Sequence, residues 1–96
     1  MIIRSIRHKG LKRFIEDNDP RGIRGDQVSR IRHVLTALIL ADNLNEIIKS
    51  SLPGWRVHRL SGDRKDTWSI SVSGNWRITF LEAEGYLDLL DLEDYH

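Results

Sequence analysis

Strict apolar/polar alternation runs twice in close succession, over Trp68-Ser-Ile-Ser-Val72 and over Trp76-Arg-Ile-Thr-Phe80, with the polar pair Gly74-Asn75 between them. A period of two is the signature of a strand, so the segment predicts a β-hairpin. Residues directly opposite in an antiparallel pair point to the same face, and a slip of one residue inverts a strand. A two-residue Gly74-Asn75 loop would oppose Val72 to Arg77, whereas a three-residue loop, Ser73-Gly74-Asn75, pairs Val72 with Trp76, Ile70 with Ile78 and Trp68 with Phe80. The sequence therefore predicts the three-residue loop, with Asn75 as its left-handed residue. One face, wholly apolar, builds a core. The other carries Ser69, Ser71, Arg77 and Thr79, leaving one cation among small hydroxyls on a face free for chemistry.

The remaining elements fall around this hairpin. Ile2 and Ile3 suit a short N-terminal strand. From His8 to Glu16 the period changes: Leu11, Phe14 and Ile15 share a helical face while Lys9, Lys12 and Arg13 point away, and Asn18-Asp19-Pro20 ends the helix. The connector Arg21-Gly-Ile-Arg-Gly25 is basic, glycine-rich and expected to be mobile. Asp26 is the expected N-cap of a longer helix whose Val28, Ile31, Val34, Leu35, Leu38 and Ala41 form the stripe that packs on the sheet, with Arg30, Arg32 and His33 on its exposed flanks. A short amphipathic turn follows through Leu44, Ile47 and Ile48. Leu52-Pro53-Gly54 reads as a type II turn. Alternation then predicts a strand over Trp55 to Leu60, with Trp55 and Val57 on one face and Arg56 and His58 on the other. A charged loop, Ser61 to Asp66, leads into the hairpin. The last strand, Tyr86 to Leu92, follows Glu84-Gly85 and is apolar on nearly both sides, as an internal strand is. The order predicts an α+β fold: two N-terminal helices packed on one face of a mostly antiparallel sheet.

The 96 residues suit one domain spanning the chain, with a single modest core. Without cysteine there is no disulfide and no thiolate metal site. No apolar run approaches the roughly 20 residues that span a bilayer, and no signal pattern opens the chain, so the expected location is the cytoplasm. The net charge of +1 hides an asymmetry: residues 1 to 34 hold nine Lys or Arg against four Asp or Glu, and residues 67 to 96 hold one Arg against six acids. The basic half suits a polyanion; the acidic half would repel one unless its carboxylates face elsewhere or do work.

Asp94, Tyr95 and His96 end the chain with three adjacent groups able to move or hold protons. If the last strand is internal, they can meet His58 and Arg77 at one rim of the sheet. Two imidazoles, a carboxylate, a phenol and a guanidinium suit RNA cleavage by the 2′-hydroxyl: a base takes its proton, an acid protonates the departing 5′-oxygen, and a cation steadies the phosphorane. That chemistry needs no metal or cofactor, and His8, His33, His58 and His96 show no local ligand spacing such as His-x-x-x-His. A lone strand histidine is more often structural or exposed than catalytic, and Arg77 is equally able to pair with a carboxylate across the sheet. The residues alone leave nuclease and binding module both open.

Four strings in order, Arg7-His-Lys-Gly-Leu11, Leu52-Pro-Gly-Trp-Arg-Val-His-Arg-Leu-Ser-Gly-Asp63, the hairpin with its Asn75-Trp76-Arg77, and the ending Asp94-Tyr95-His96, closely resemble HigB-type toxins of the RelE/ParE superfamily of bacterial toxin–antitoxin modules. The resemblance implies a microbial-ribonuclease-like fold, ribosome-dependent cleavage of messenger RNA, and neutralisation by a HigA-type antitoxin that binds operator DNA through a helix-turn-helix. It also implies catalytic roles for His58, Asp94, Tyr95 and His96, to which the reading of the residues adds Arg77. Lys9, Lys12, Arg13, Arg21, Arg24 and Arg56 are the expected contacts to ribosome and RNA phosphates. Competing expectations are a ParE-like inhibitor of DNA gyrase, a non-catalytic nucleic-acid-binding module, and an attenuated toxin that serves autorepression through its antitoxin.

Overall fold

The alternating segments pair into one five-stranded sheet, and the helical segments cover its apolar face. The computed structural model describes residues 1–94. In chain order these form β1 (Ile2–Ile3), α1 (Lys9–Asp17), α2 (Val28–Leu40), α3 (Leu44–Ser50), β2 (His58–Arg59), β3 (Trp68–Ser73), β4 (Trp76–Ala83) and β5 (Tyr86–Asp94). The strands lie in the order β1-β5-β4-β3-β2, with β1 parallel to β5 and every other neighbour antiparallel. This is the expected α+β sandwich with one helix more than expected: the turn through Leu44 and Ile47 is a helix, capped where Asn43 Oδ1 accepts from the Glu46 amide at 3.0 Å. Leu11 and Phe14 of α1, Ile31, Val34, Leu35 and Leu38 of α2, and Ile47 of α3 bury against Ile70, Val72, Ile78, Phe80, Leu87, Leu90 and Leu92 of the sheet. Among the described residues no helix is long and apolar enough to cross a membrane.

The hairpin keeps the expected apolar face but makes it differently. Trp68 pairs with Phe80, Ile70 with Ile78 and Ser71 with Arg77, and then the register shifts so that Ser73 pairs with Trp76. The loop is therefore the two-residue Gly74-Asn75, and Gly74, not Asn75, carries the positive φ of +55°, as the first central position of a type II′ turn requires. A bulge at Val72 absorbs the extra residue, so Val72 stays buried without facing Arg77. A second irregularity interrupts β4–β5 between Thr79 and Leu81, where Leu89 takes φ +52°. It lets Leu87 and Leu90, three apart, both reach the core.

Three local expectations are corrected. Asp26 does not cap α2: it lies in a 3₁₀ turn, Gly25–Gln27, and pairs with Arg24 at 2.9 Å, so the helix starts one residue later than expected, at Val28, without a side-chain cap. The strand over 55 to 60 shrinks to His58–Arg59 because Arg56 adopts a left-handed φ of +50°. The connector after α1 is held rather than loose: Asp19 caps a 3₁₀ turn over Pro20–Gly22, and Gly22 packs on Gly10.

That Gly–Gly contact explains part of the Arg7-His-Lys-Gly-Leu11 string. His8 is the N-cap of α1, its Nδ1 accepting from the Leu11 amide at 3.0 Å, and Gly10 lets the connector backbone close on the first turn. A Cβ on Gly10 would lie 2.2 Å from the Gly22 carbonyl oxygen, whereas a Cβ on Gly25 meets nothing within 4 Å. Overpacking of this kind costs about 1–3 kcal/mol, so Gly10→Ala is expected to lower the melting temperature by roughly 4–24 °C while Gly25→Ala leaves it nearly unchanged. Equal thermal transitions for the two variants would contradict the close approach.

Candidate active site

Two rows of side chains cross the sheet on the face turned away from the helices. In the first, His58 of β2 is opposite Ser69 of β3, Ser69 opposite Thr79 of β4, and Thr79 opposite Asp91 of β5. In the second, Ser71 is opposite Arg77 and Arg77 opposite Glu93. Opposed residues share a face, so the register brings His58 and Arg77 together on the polar face, as expected. The left-handed turn at Arg56 aims its carbonyl oxygen at the exposed His58 ring, whose Nδ1 donates to it at 2.6 Å. A carbonyl can only accept; the proton therefore sits on Nδ1, and Nε2 is the atom left to take up or release another. Arg77 Nη1 donates to Ser71 Oγ at 3.0 Å, which fixes the guanidinium over the second row.

Glu93 and Arg64 are the members of this face that the sequence reading missed. Arg64, in the 3₁₀ turn Gly62–Arg64, makes a two-pronged contact with the Glu93 carboxylate at 2.8 and 2.6 Å, and Thr79 Oγ1 donates to the same carboxylate. The Arg64 hydrogen bonds hold Glu93 below the ordinary carboxylate range, helped by the Thr79 hydroxyl and the charge of Arg7 and opposed by partial burial. The signal was present: Glu93 is two residues beyond Asp91 on a strand of period two. The face is also less open than expected, since Ser69 and Thr79 are 0% and 2% exposed. The buried Ser69 hydroxyl, beside His58 in the first row, has no hydrogen-bond partner among the described residues.

The other expected site residues divide. Asp94 is opposite Trp76, so the register turns it to the side of Leu92 and Ile78 and does not bring it to His58 and Arg77. This corrects the expectation for Asp94 alone, and the physical reason is the alternation of β5: Glu93 occupies the position beside Arg77 instead. Tyr95 and His96 lie outside the described residues. Lys9, Lys12 and Arg13 are exposed along α1, and Arg56 is exposed beside His58. Arg21 and Arg24, expected to grip phosphate, are each held by an acid two residues away: Arg21 bonds the Asp19 carboxylate and lowers its pKa to about 2, and Arg24 pairs with Asp26.

An imidazole, a guanidinium and an Arg-held carboxylate on one rigid face suit acid–base work on an anionic substrate, and known proteins point the same way. The model of a family described as RelE-like toxin of type II toxin-antitoxin system HigB matches residues 4–96. The chain belongs to this family of HigB-like toxins. It is 39% identical over 95 residues to a Proteus vulgaris protein named Endoribonuclease HigB, covering 99% of this chain and all of that one. In fold it is similar to the crystal structure of a histidine-to-glutamine mutant of YafQ from E. coli, with a TM-score of 0.57 and 16% identity over 94% of this chain and 88% of that one. A type II toxin has an antitoxin partner, so membership of the HigB-like family gives this chain one.

The Arg64–Glu93 pair makes stability depend on pH. Glu93 titrates lower in the folded chain than its ordinary 4.5, so its contribution is complete above that value and is lost as the pH falls through the folded pKa. Glu93→Gln is expected to melt below the wild type at pH 6, with the gap closing as the pH falls below 4.5. A gap that stays constant over that range would show that the pair does not carry the effect.

Proposed function

We propose that this HigB-like toxin cleaves messenger RNA on the ribosome by attack of the substrate's own 2′-hydroxyl. The observation that carries the proposal is the placement of His58 and Arg77 on one polar face by the pairing of β2, β3 and β4; the name of the Proteus vulgaris relative supports the reaction class. With Nδ1 engaged by the Arg56 carbonyl, His58 as imidazolium donates from Nε2 to the departing 5′-oxygen. Arg77 stabilises charge on the non-bridging phosphate oxygens. Tyr95 and His96 supply a stacking surface and the second proton-transfer group, and Asp94 orients that end of the chain. None of these steps calls for a metal or a cofactor.

Ribosomal RNA is met by Lys9, Lys12 and Arg13, the exposed cations of α1, with Arg56 near the scissile phosphate. Arg21 and Arg24 contribute less to that contact, since each already shares its charge with an acid. A HigA-type antitoxin with a DNA-binding helix-turn-helix neutralises the toxin and carries it to operator DNA, and the toxin, a single domain over residues 1–96, acts in the cytoplasm.

Purified toxin added to programmed ribosomes is expected to cut the message, mapped by toeprinting. His58→Ala and Arg77→Ala are expected to keep the wild-type circular dichroism and lose about 10²-fold or more in cleavage rate. Wild-type rates in both variants would remove the proposed site; an intact message with DNA gyrase blocked instead would replace the reaction altogether.

A further inference from the structure

A cleft of about 310 Å³ opens between α2 and the turn before β2, lined by Arg30, His33, Leu52, Trp55, Ser71 and Val72. It exists because β2 is only two residues long: the chain crosses the end of β3 as an irregular segment, tied there by one backbone bond from the Ser71 amide to the Trp55 carbonyl at 2.6 Å. Its walls are built rather than incidental. Trp55 is half-buried against the core, and the exposed His33 ring meets the indole edge-on, with centroids 5.5 Å apart and planes at 84°. Arg30 donates from Nη1 to the Val72 carbonyl at 2.9 Å, which anchors one prong of a guanidinium that has further N–H donors to offer. Ser71, on the cleft wall, accepts from Arg77.

We propose that this cleft binds one nucleotide of single-stranded RNA at the open edge of β3, its base stacked against Trp55 and its phosphate on Arg30. The proposal rests on the RNA-cleaving reading of the neighbouring face and extends it by one subsite. Ser71 is the physical link: it lines the cleft on the helix side of the sheet edge, and its hydroxyl accepts from Arg77 on the opposite face. The chemistry favours a nucleotide over a protein segment. An aromatic ring beside a guanidinium and an imidazole is what base and phosphate together require, and among the described residues no carboxylate lines the cleft. The volume is at the lower end of ligand pockets, enough for a single base.

The test is a titration of the full chain with hexauridylate and hexaadenylate carrying 2′-fluoro groups, which cannot be cut through the 2′-hydroxyl. The readout is the three tryptophan indole N–H signals in a ¹H–¹⁵N spectrum, assigned by single Trp→Phe variants. The Trp55 signal is expected to move with at least one oligomer. Trp55→Phe should retain affinity, and Trp55→Leu and Arg30→Gln should each weaken it by about tenfold, the scale of one lost stacking contact. Because Arg30 is exposed, its variant keeps the test meaningful if Trp55→Leu unfolds. A stationary Trp55 signal while His58 and Arg77 respond would overturn the cleft, as would a shift caused by the purified antitoxin and not by RNA. A Trp55 shift in a protein that cuts no message would sustain the cleft and strike only the nuclease reading.

Discussion

The cross-strand register of β3, β4 and β5 is the constraint on which the rest of the molecule depends. Side chains alternate between faces, so one choice of pairing both buries Ile70, Ile78 and Phe80 and turns Ser71, Arg77 and Glu93 to the opposite side. A slip of one residue would drive Arg77 into the core and expose Ile78, and burying an unpaired guanidinium costs far more than any hairpin turn can return. Core and site are thus two readings of a single register. Each large apolar side chain that locks the sheet, at about 1.5–3 kcal/mol of burial apiece, also aims a polar one.

This coupling explains why the hairpin's faces were legible from its sequence while its turn was not. Alternation assigns faces, and the Val72 bulge changes the loop without changing them. The irregular positions left weaker traces. Nothing in the residues announced the left-handed φ at Arg56, which shortens β2 and orients His58, because a non-glycine in that conformation is stabilised by its surroundings and not by its own preference. Asp26 carried the composition of an N-cap but was claimed by Arg24, and Asp19 likewise claimed Arg21; pairs two residues apart are local competition that helical periodicity does not register. Asp94 misled for a simpler reason. Its place beside two catalytic candidates in the sequence outweighed the parity of the strand, which favours Glu93.

Charge organisation follows from the same architecture. Two acids of the C-terminal half are neutralised in place: Glu93 is taken up by Arg64 and Thr79, and Asp88 by Arg4, which also lies over the Tyr86 ring. Arg4, Arg7 and Arg64 thereby import positive charge to the strand that carries the acids. The net result is a toxin whose exposed α1 cations meet the solvent while Asp88 and Glu93 of β5 hold guanidinium groups in place. The Arg7-His-Lys-Gly-Leu11 string serves this arrangement structurally, through the His8 cap and the Gly10 contact, while its Lys9 is exposed to solvent.

Action of the polar face on the sugar hydroxyl of a bound message is the central step. Chemical analysis of the RNA ends released from programmed ribosomes, with a matched message bearing a single 2′-deoxy sugar at the mapped cut, tests it most directly. It predicts a 2′,3′-cyclic phosphate facing a 5′-hydroxyl, and no cut at the deoxy position. A 3′-hydroxyl with a 5′-phosphate, or undiminished cleavage of the deoxy message, would contradict it.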